Sequence, residues 1–207
     1  MMKQRLTFCL SALLLINSSF AQRNIKEDSP SPYHTTFVKD GAIIVGGIGL
    51  TALGVSLINN KKDLSAAELA TKTRDKIPFF DRGNVGFYSL KADNDSYIPF
   101  QASFAMPVLM GLLNKNERQK FGQVMVLYTE TMAITGAMFT MATGNVYRSR
   151  PYVYNTNNPT VVTTDFKREK DSQRAFFAGH TAATAAATFF MAKAFADFNP
   201  DSKAKPY

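Results

Sequence analysis

Residues 41–58 carry no charged side chain, and the run is closed by Asp40 on one side and by Lys61-Lys62 on the other. As a helix, that run is about 27 Å long, close to the hydrocarbon thickness of a bilayer. It therefore reads either as a membrane-crossing helix or as a glycine-rich helix enclosed in a soluble core. Small residues recur four apart, Ala42 with Gly46 and Gly47 with Thr51, a spacing that lets a neighbouring helix approach closely.

Three further segments have helical length and pattern. Residues 97–113 are apolar apart from interruptions at Gln101 and Pro107. Residues 121–146 carry Thr129, Glu130, Thr131, Thr135, Thr140 and Thr143, so one side should face a bundle interior rather than lipid. Residues 178–198 are alanine-rich, stop at Asn199-Pro200, and place Thr181, Thr184, Thr188, Met191 and Phe195 on one stripe. Residues 63–75 form a short amphipathic pattern, with Leu64, Ala67 and Leu69 set against Glu68, Lys72 and Arg74, and it should end before Pro78. No segment sustains strand alternation, so the expected fold class is all-α. Two features stay open. Glu130 is either a functional intramembrane carboxylate or a paired or exposed one. Phe79-Phe80 with Arg82, and Phe87-Tyr88, are either an interfacial stretch or ordinary packing under a loop.

Residues 1–21 have the pattern of a secretory signal: Lys3 and Arg5, an apolar stretch from Leu6 to Ile16, then Ser19-Phe20-Ala21 before Gln22. Residues 22–39 form a polar lead-in with Pro30 and Pro32, leaving 40–207 for one helical domain. The single cysteine, Cys9, lies in the signal, so the mature chain would have no disulfide, zinc-thiolate site or cysteine nucleophile. Net charge is +8, and +6 without Lys3 and Arg5. That balance favours anionic partners such as phosphates or acidic headgroups. The basic residues are scattered, with no stripe or aromatic-interleaved groove, which argues against nucleic acid.

The chemistry-bearing residues lie late in the chain. Arg148-Ser149-Arg150-Pro151 precedes a polar connection, and Ala178-Gly179-His180-Thr181 opens the last helix. An arginine offers a planar fork that matches phosphate oxygens, and a glycine-opened helix start presents backbone N–H groups to an anion. A histidine there can move a proton.

These residues, with the flanks Tyr152-Val153-Tyr154-Asn155 and Ala175-Phe176-Phe177, resemble the type 2 phosphatidic acid phosphatase superfamily, which includes bacterial acid phosphatases and vanadium haloperoxidases. The resemblance covers roughly residue 81 to the C-terminus. It implies an all-α, membrane-associated bundle in the cell envelope, in the inner membrane or periplasm. It also implies hydrolysis of a phosphomonoester, either a phosphorylated small molecule or a lipid phosphate or pyrophosphate, with no metal and no cofactor. By the resemblance, His180 protonates the leaving oxygen, and Arg150 binds phosphate with the Gly179 and His180 amides.

Three departures weaken the implied activity. The family's lysine falls on Thr143 and its serine on Ala178, with Arg148 near enough to restore one charge. The third motif, with the attacking histidine, has no counterpart, because the only other histidine is His34 in the lead-in. The expectation is a C-terminally truncated member that is inactive as this chain. The alternatives are a non-catalytic anion-binding or structural envelope bundle, and a vanadate-dependent peroxidase relative. Topology is contradictory at this level. A cleaved signal and three crossings put Arg150 in the cytoplasm, whereas the basic turn Lys115, Arg118, Lys120 prefers the cytoplasm for itself and puts Arg150 outside.

Overall fold

The structure is a computed structural model that describes residues 31–156 and 160–204. The signal 1–21 and residues 22–30 of the lead-in lie outside the described residues. Seven α-helices are present among the described residues: α1 (Phe37–Asn59), α2 (Ala66–Ala70), α3 (Leu90–Leu113), α4 (Lys115–Gln119), α5 (Phe121–Asn145), α6 (Thr164–Arg168) and α7 (Gly179–Phe198). Short 3₁₀ turns fill the connections, and no strand occurs among the described residues. The molecule is all-α, and α1, α3 and α5 are each long and apolar enough to cross a membrane.

Two boundaries differ from the sequence expectation for identifiable reasons. The second long helix starts at Leu90 rather than near residue 97, because Ser89 caps it by accepting from the Ala92 amide at 3.2 Å and Asp93 sits in its first turn. It also continues through Pro99 and Pro107. The amphipathic stretch 63–75 is helical only over α2. There Ser65 and Glu68 form a capping box, with Ser65 N–H donating to Glu68 Oε2 at 2.8 Å and Glu68 N–H to Ser65 Oγ at 3.2 Å.

The four long helices alternate in direction, and contacts fix their pairing. Gly47 lies opposite Ala133, Gly54 opposite Thr140 and Leu57 opposite Gly144, so α1 and α5 run parallel. Ser96 and Phe100 meet His180, and Asn116 just beyond α3 bonds to the Phe198 carbonyl, so α3 and α7 are also parallel. Phe139 against Gly179 and Tyr128 against Phe190 make α5 and α7 antiparallel. Of the two small-residue pairs in α1, Gly47 and Thr51 face α5. Ala42 and Gly46 instead open onto a shallow apolar groove with Ile134 and Met138.

Threonine hydroxyls inside these helices bond back to carbonyls four residues earlier: Thr129 to Met125, Thr131 to Leu127, Thr135 to Thr131 and Thr140 to Gly136, all at 2.7–2.9 Å. Each polar group is thereby satisfied within its own helix, as an apolar surrounding demands. Glu130 lies near Asp40 of α1, so it faces a second carboxyl group rather than a cation. On α7 the fully enclosed positions are Ala187, Ala194 and Phe198, while most of the threonine stripe is half-buried.

The bundle consequently has two distinct ends. One gathers residues 31–36, α4 and 199–204, above a core of Phe121, Val124, Met125, Tyr128, Ala187 and Phe198. The other gathers residues 60–89, 146–156 and 160–178, with a smaller core of Leu64, Tyr152, Val153 and Val162. The late motifs both belong to this second end.

Glu117, at the first end, is 1 % exposed, and burial pushes its carboxyl up to about 7. A raised carboxyl disfavours the folded state wherever the unfolded chain has already lost the proton that the folded one still holds. The penalty is therefore absent below the ordinary value of 4.5 and grows as pH rises towards 7. Glu117→Gln should gain about 1–3 kcal/mol over the native chain at pH 8 and almost nothing at pH 4, measured by thermal unfolding in detergent. Equal stability of the two proteins at pH 8 would contradict this.

Candidate anion site

The segment carrying Arg148, Ser149 and Arg150 crosses the segment immediately ahead of α7. Arg150 N–H donates to the Ser172 carbonyl at 2.7 Å, Ala175 N–H donates to the Arg148 carbonyl at 3.0 Å, and Arg148 pairs with Arg174 as an isolated bridge. This contact brings the two late motifs to the same end of the bundle. Pro151 then opens a 3₁₀ turn, Pro151–Tyr154, whose fixed φ suits a first helical position.

Lys61 anchors the crossing from behind. It is 4 % exposed, its Nζ donates to the Val146 carbonyl at 2.7 Å and the Gln173 carbonyl at 3.3 Å, and it sits 4.3 Å from the Tyr147 ring centroid. Burial, then the nearby Arg174 guanidinium, lowers its pKa. Arg174 in turn donates from Nη1 to Asp171 at 2.8 Å. Three buried polar atoms in the crossing segments have no partner: Ser149 Oγ, Ser172 Oγ and Arg174 Nε. Burying such groups unpaired costs roughly 1–3 kcal/mol each.

The residues singled out in the sequence are placed as follows. Arg150 is half-buried, and its guanidinium makes no hydrogen bond or ion pair among the described residues. Arg148 is exposed and its guanidinium is held by Asp81. It lines a groove of about 340 Å³ with Lys76, Asp81, Ser149 and Tyr154, and neither Arg150 nor His180 lines that groove.

His180 packs onto α3. Its ring stacks on Phe100 with centroids 4.4 Å apart and meets Tyr97 edge-on at 4.5 Å, while Nδ1 lies 2.9 Å from Ser96 Oγ. Ser96 already donates its hydroxyl hydrogen to the Asp93 carbonyl at 2.7 Å. Its oxygen must therefore accept from Nδ1–H, so in the neutral ring Nε2 carries the lone pair. Nε2 has no partner among the described residues. No hydrogen bond, ion pair or ring contact joins His180 to Arg150.

Gly179, Thr143 and Ala178 have local roles of their own. A Cβ on Gly179 would meet the Phe139 ring at 2.8 Å, so a larger residue there would displace that ring whether or not an anion approaches. Thr143 is fully buried, and its hydroxyl donates to the Phe176 carbonyl at 3.1 Å, which pins α5 to the turn before α7. Ala178 provides no side-chain cap, and the first intrahelical bond of α7 comes from Ala182 N–H to Ala178 O. The amides of Gly179, His180 and Thr181 thus point out of the helix start uncapped.

His34 lies before α1, at the far end of the bundle, where neighbouring Tyr33 meets Phe198 with ring centroids 5.8 Å apart. It cannot reach the crossing. Sequence alone assigns no site role to Lys61, Ser149, Ser172 or Arg174. Only Ser149, flanked by two arginines, carried a signal that could have exposed it. No family model, curated protein or solved structure matches the chain.

Proposed function

We propose that this chain is a membrane-embedded envelope bundle of the phosphatidic acid phosphatase type that binds a phosphate-like anion and does not turn over phosphomonoesters. The carrying observation is the set of orphaned buried atoms, Ser149 Oγ, Ser172 Oγ and Arg174 Nε, where the Arg150 segment crosses the lead to α7. Arg150, with an unengaged guanidinium, and the uncapped amides of α7 supply the remaining recognition. Two neighbouring cations, Lys61 and Arg174, take the place of the charge absent at Thr143.

Turnover through a phosphoenzyme needs one group to attack phosphorus and a second to protonate the leaving oxygen. His180 supplies at most one of these roles, and His34 is at the wrong end. The lone pair on Nε2 of neutral His180 is suited to accepting a proton or a hydrogen bond from a protonated phosphate oxygen. As an acid it must first be charged.

Isothermal titration of orthovanadate into the purified full chain should give saturable binding. Arg150→Ala should weaken it about tenfold to a hundredfold, the worth of ~1.5–3 kcal/mol for a charged hydrogen bond. Turnover of p-nitrophenyl phosphate should be absent in both proteins. Vanadate binding that is undetectable, or unchanged in Arg150→Ala, would overturn the anion site. Turnover by the native chain would overturn the non-catalytic reading.

A further inference from the structure

We infer that the end of the bundle formed by residues 60–89, 146–156 and 160–178 docks on an anionic bilayer surface through the 3₁₀ turn Phe79–Asn84, with Phe79 and Phe80 entering the headgroup layer. The inference rests on the bilayer reading above, not on the anion site.

The two rings are 82 % and 77 % exposed and touch each other edge-on, with centroids 5.5 Å apart. Phe87 and Leu90 continue the apolar surface at 70 % and 59 % exposed. Such a cluster on a monomer is a docking surface by default. The turn is braced in this pose. Arg82 Nε donates to the Ile77 carbonyl at 2.8 Å and Nη2 to the Asp75 carbonyl at 3.0 Å, Gly86 N–H donates to the Pro151 carbonyl at 2.9 Å, and Asp81 holds Arg148. Tyr88 is different. It turns inward onto Tyr152 and Phe166, with centroids 5.8 and 5.7 Å away. The alternative of packing under a loop therefore applies to Tyr88 and not to Phe79, Phe80 or Phe87.

Position and charge select a lipid surface as the occupant. The turn precedes α3, one of the helices long and apolar enough to span, and with the polar first turns of α3 it belongs to the end of the bundle outside the hydrocarbon. Aromatic rings are favoured at the membrane–water interface. Arg74 and Lys76, in the turn just ahead of Phe79, make no side-chain hydrogen bond or ion pair among the described residues. Residues 60–89 hold six Lys and Arg, and residues 146–156 and 160–178 another six, twelve in all, against seven Asp and Glu. Residues 31–36, 114–120 and 199–204 at the other end hold four against two. The basic turn at Lys115, Arg118 and Lys120 is thus the lesser of the two basic ends. The positive-inside preference assigns the Phe79 end to the cytoplasmic leaflet, which is the anionic one.

The chain contains no tryptophan, so Phe79→Trp and Phe80→Trp each introduce a unique fluorophore at an exposed position. Ile98→Trp, on α3 and 72 % exposed, reports whether that helix is in lipid at all. The full-length variants, checked for native helical content by circular dichroism, go into nanodiscs of phosphatidylcholine with or without phosphatidylglycerol, using lipids brominated near the headgroup end of the acyl chain. The expected result is blue-shifted, bromine-quenched emission from positions 79 and 80, stronger with phosphatidylglycerol, and quenching at position 98 in both lipids. Water-like, unquenched emission at 79 and 80 with quenching at 98 overturns the docking and leaves the bilayer reading intact. Unquenched emission at all three positions overturns both. Equal quenching of 79 and 80 in the two lipids overturns the assignment of an anionic surface.

Discussion

Gly54→Ala is expected to destabilise the bundle by roughly 1–3 kcal/mol, the typical penalty for overpacking a close contact. The added Cβ would lie 2.4 Å from Thr140 Oγ1 and 2.5 Å from the Thr140 carbonyl carbon, so rotating a side chain cannot relieve it. Backbone must move, and α1 and α5 must separate along a seam that also includes Gly47 against Ala133 and Gly144 against Leu57. Gly49 and Gly46 are about one and two turns away on faces where nothing lies within 4 Å. Alanine there should stabilise by about 0.5–1 kcal/mol, because it only removes backbone freedom from the unfolded chain. Thermal unfolding in detergent separates the two classes. A Gly54→Ala protein as stable as Gly46→Ala would mean that α1 and α5 do not meet in this register.

Lys61→Met should cost about 2–4 kcal/mol and loosen the crossing of the two late segments. The loss has two parts with opposite signs. Removing a buried ammonium relieves its desolvation, but the Gln173 carbonyl then loses its donor in a buried bond and the Val146 carbonyl in a partly buried one. The second part wins at the buried Gln173 carbonyl, because the methionine chain fills the volume without offering a hydrogen. The pH dependence checks the account independently. Lys61 has a folded pKa below its ordinary value of 10.5, so the burial penalty is fully present below the folded value. As pH rises from there towards 10.5, the unfolded chain keeps a proton that the folded one has released, and the native chain gains stability. Lys61→Met lacks that gain, so the gap between the two proteins should widen in alkali. A gap that stays constant or narrows would show that the ammonium is not buried as described.

Much of the helical layout was legible in the sequence, since uncharged runs of spanning length leave few other options. The start of α3 was not, because Lys91, Asp93, Asn94 and Asp95 make its first two turns look like a loop. That outcome depended on a cap and a first-turn acid rather than on apolar period. The topological contradiction came from weighing one basic turn alone. It eases once the structure shows which connections share an end, something no local pattern contains.

The site divides along the same line. Arg150 and His180 stood out because their neighbours in sequence make chemical sense. Lys61, Ser172 and Arg174 did not, because their meaning arises only where segments more than a hundred positions apart, or crossing at a bridge, come together. Gly179 illustrates the converse. It was legible as a glycine that admits an anion, yet the contact that a larger residue would disturb is with Phe139. Arg148, expected to restore a missing charge, already has its partner in Asp81.

The central claim is that Arg150 and the start of α7 attend to one anion. The chain has two histidines, at opposite ends of the bundle, so a ¹⁵N-histidine spectrum contains a probe and its own internal control. On titration with orthovanadate, the His180 Nε2 resonance should shift saturably with the midpoint of the binding isotherm while His34 stays still, and the shift should vanish in Arg150→Ala. A His180 resonance that does not move at saturating anion, or that moves equally in Arg150→Ala, would contradict the account.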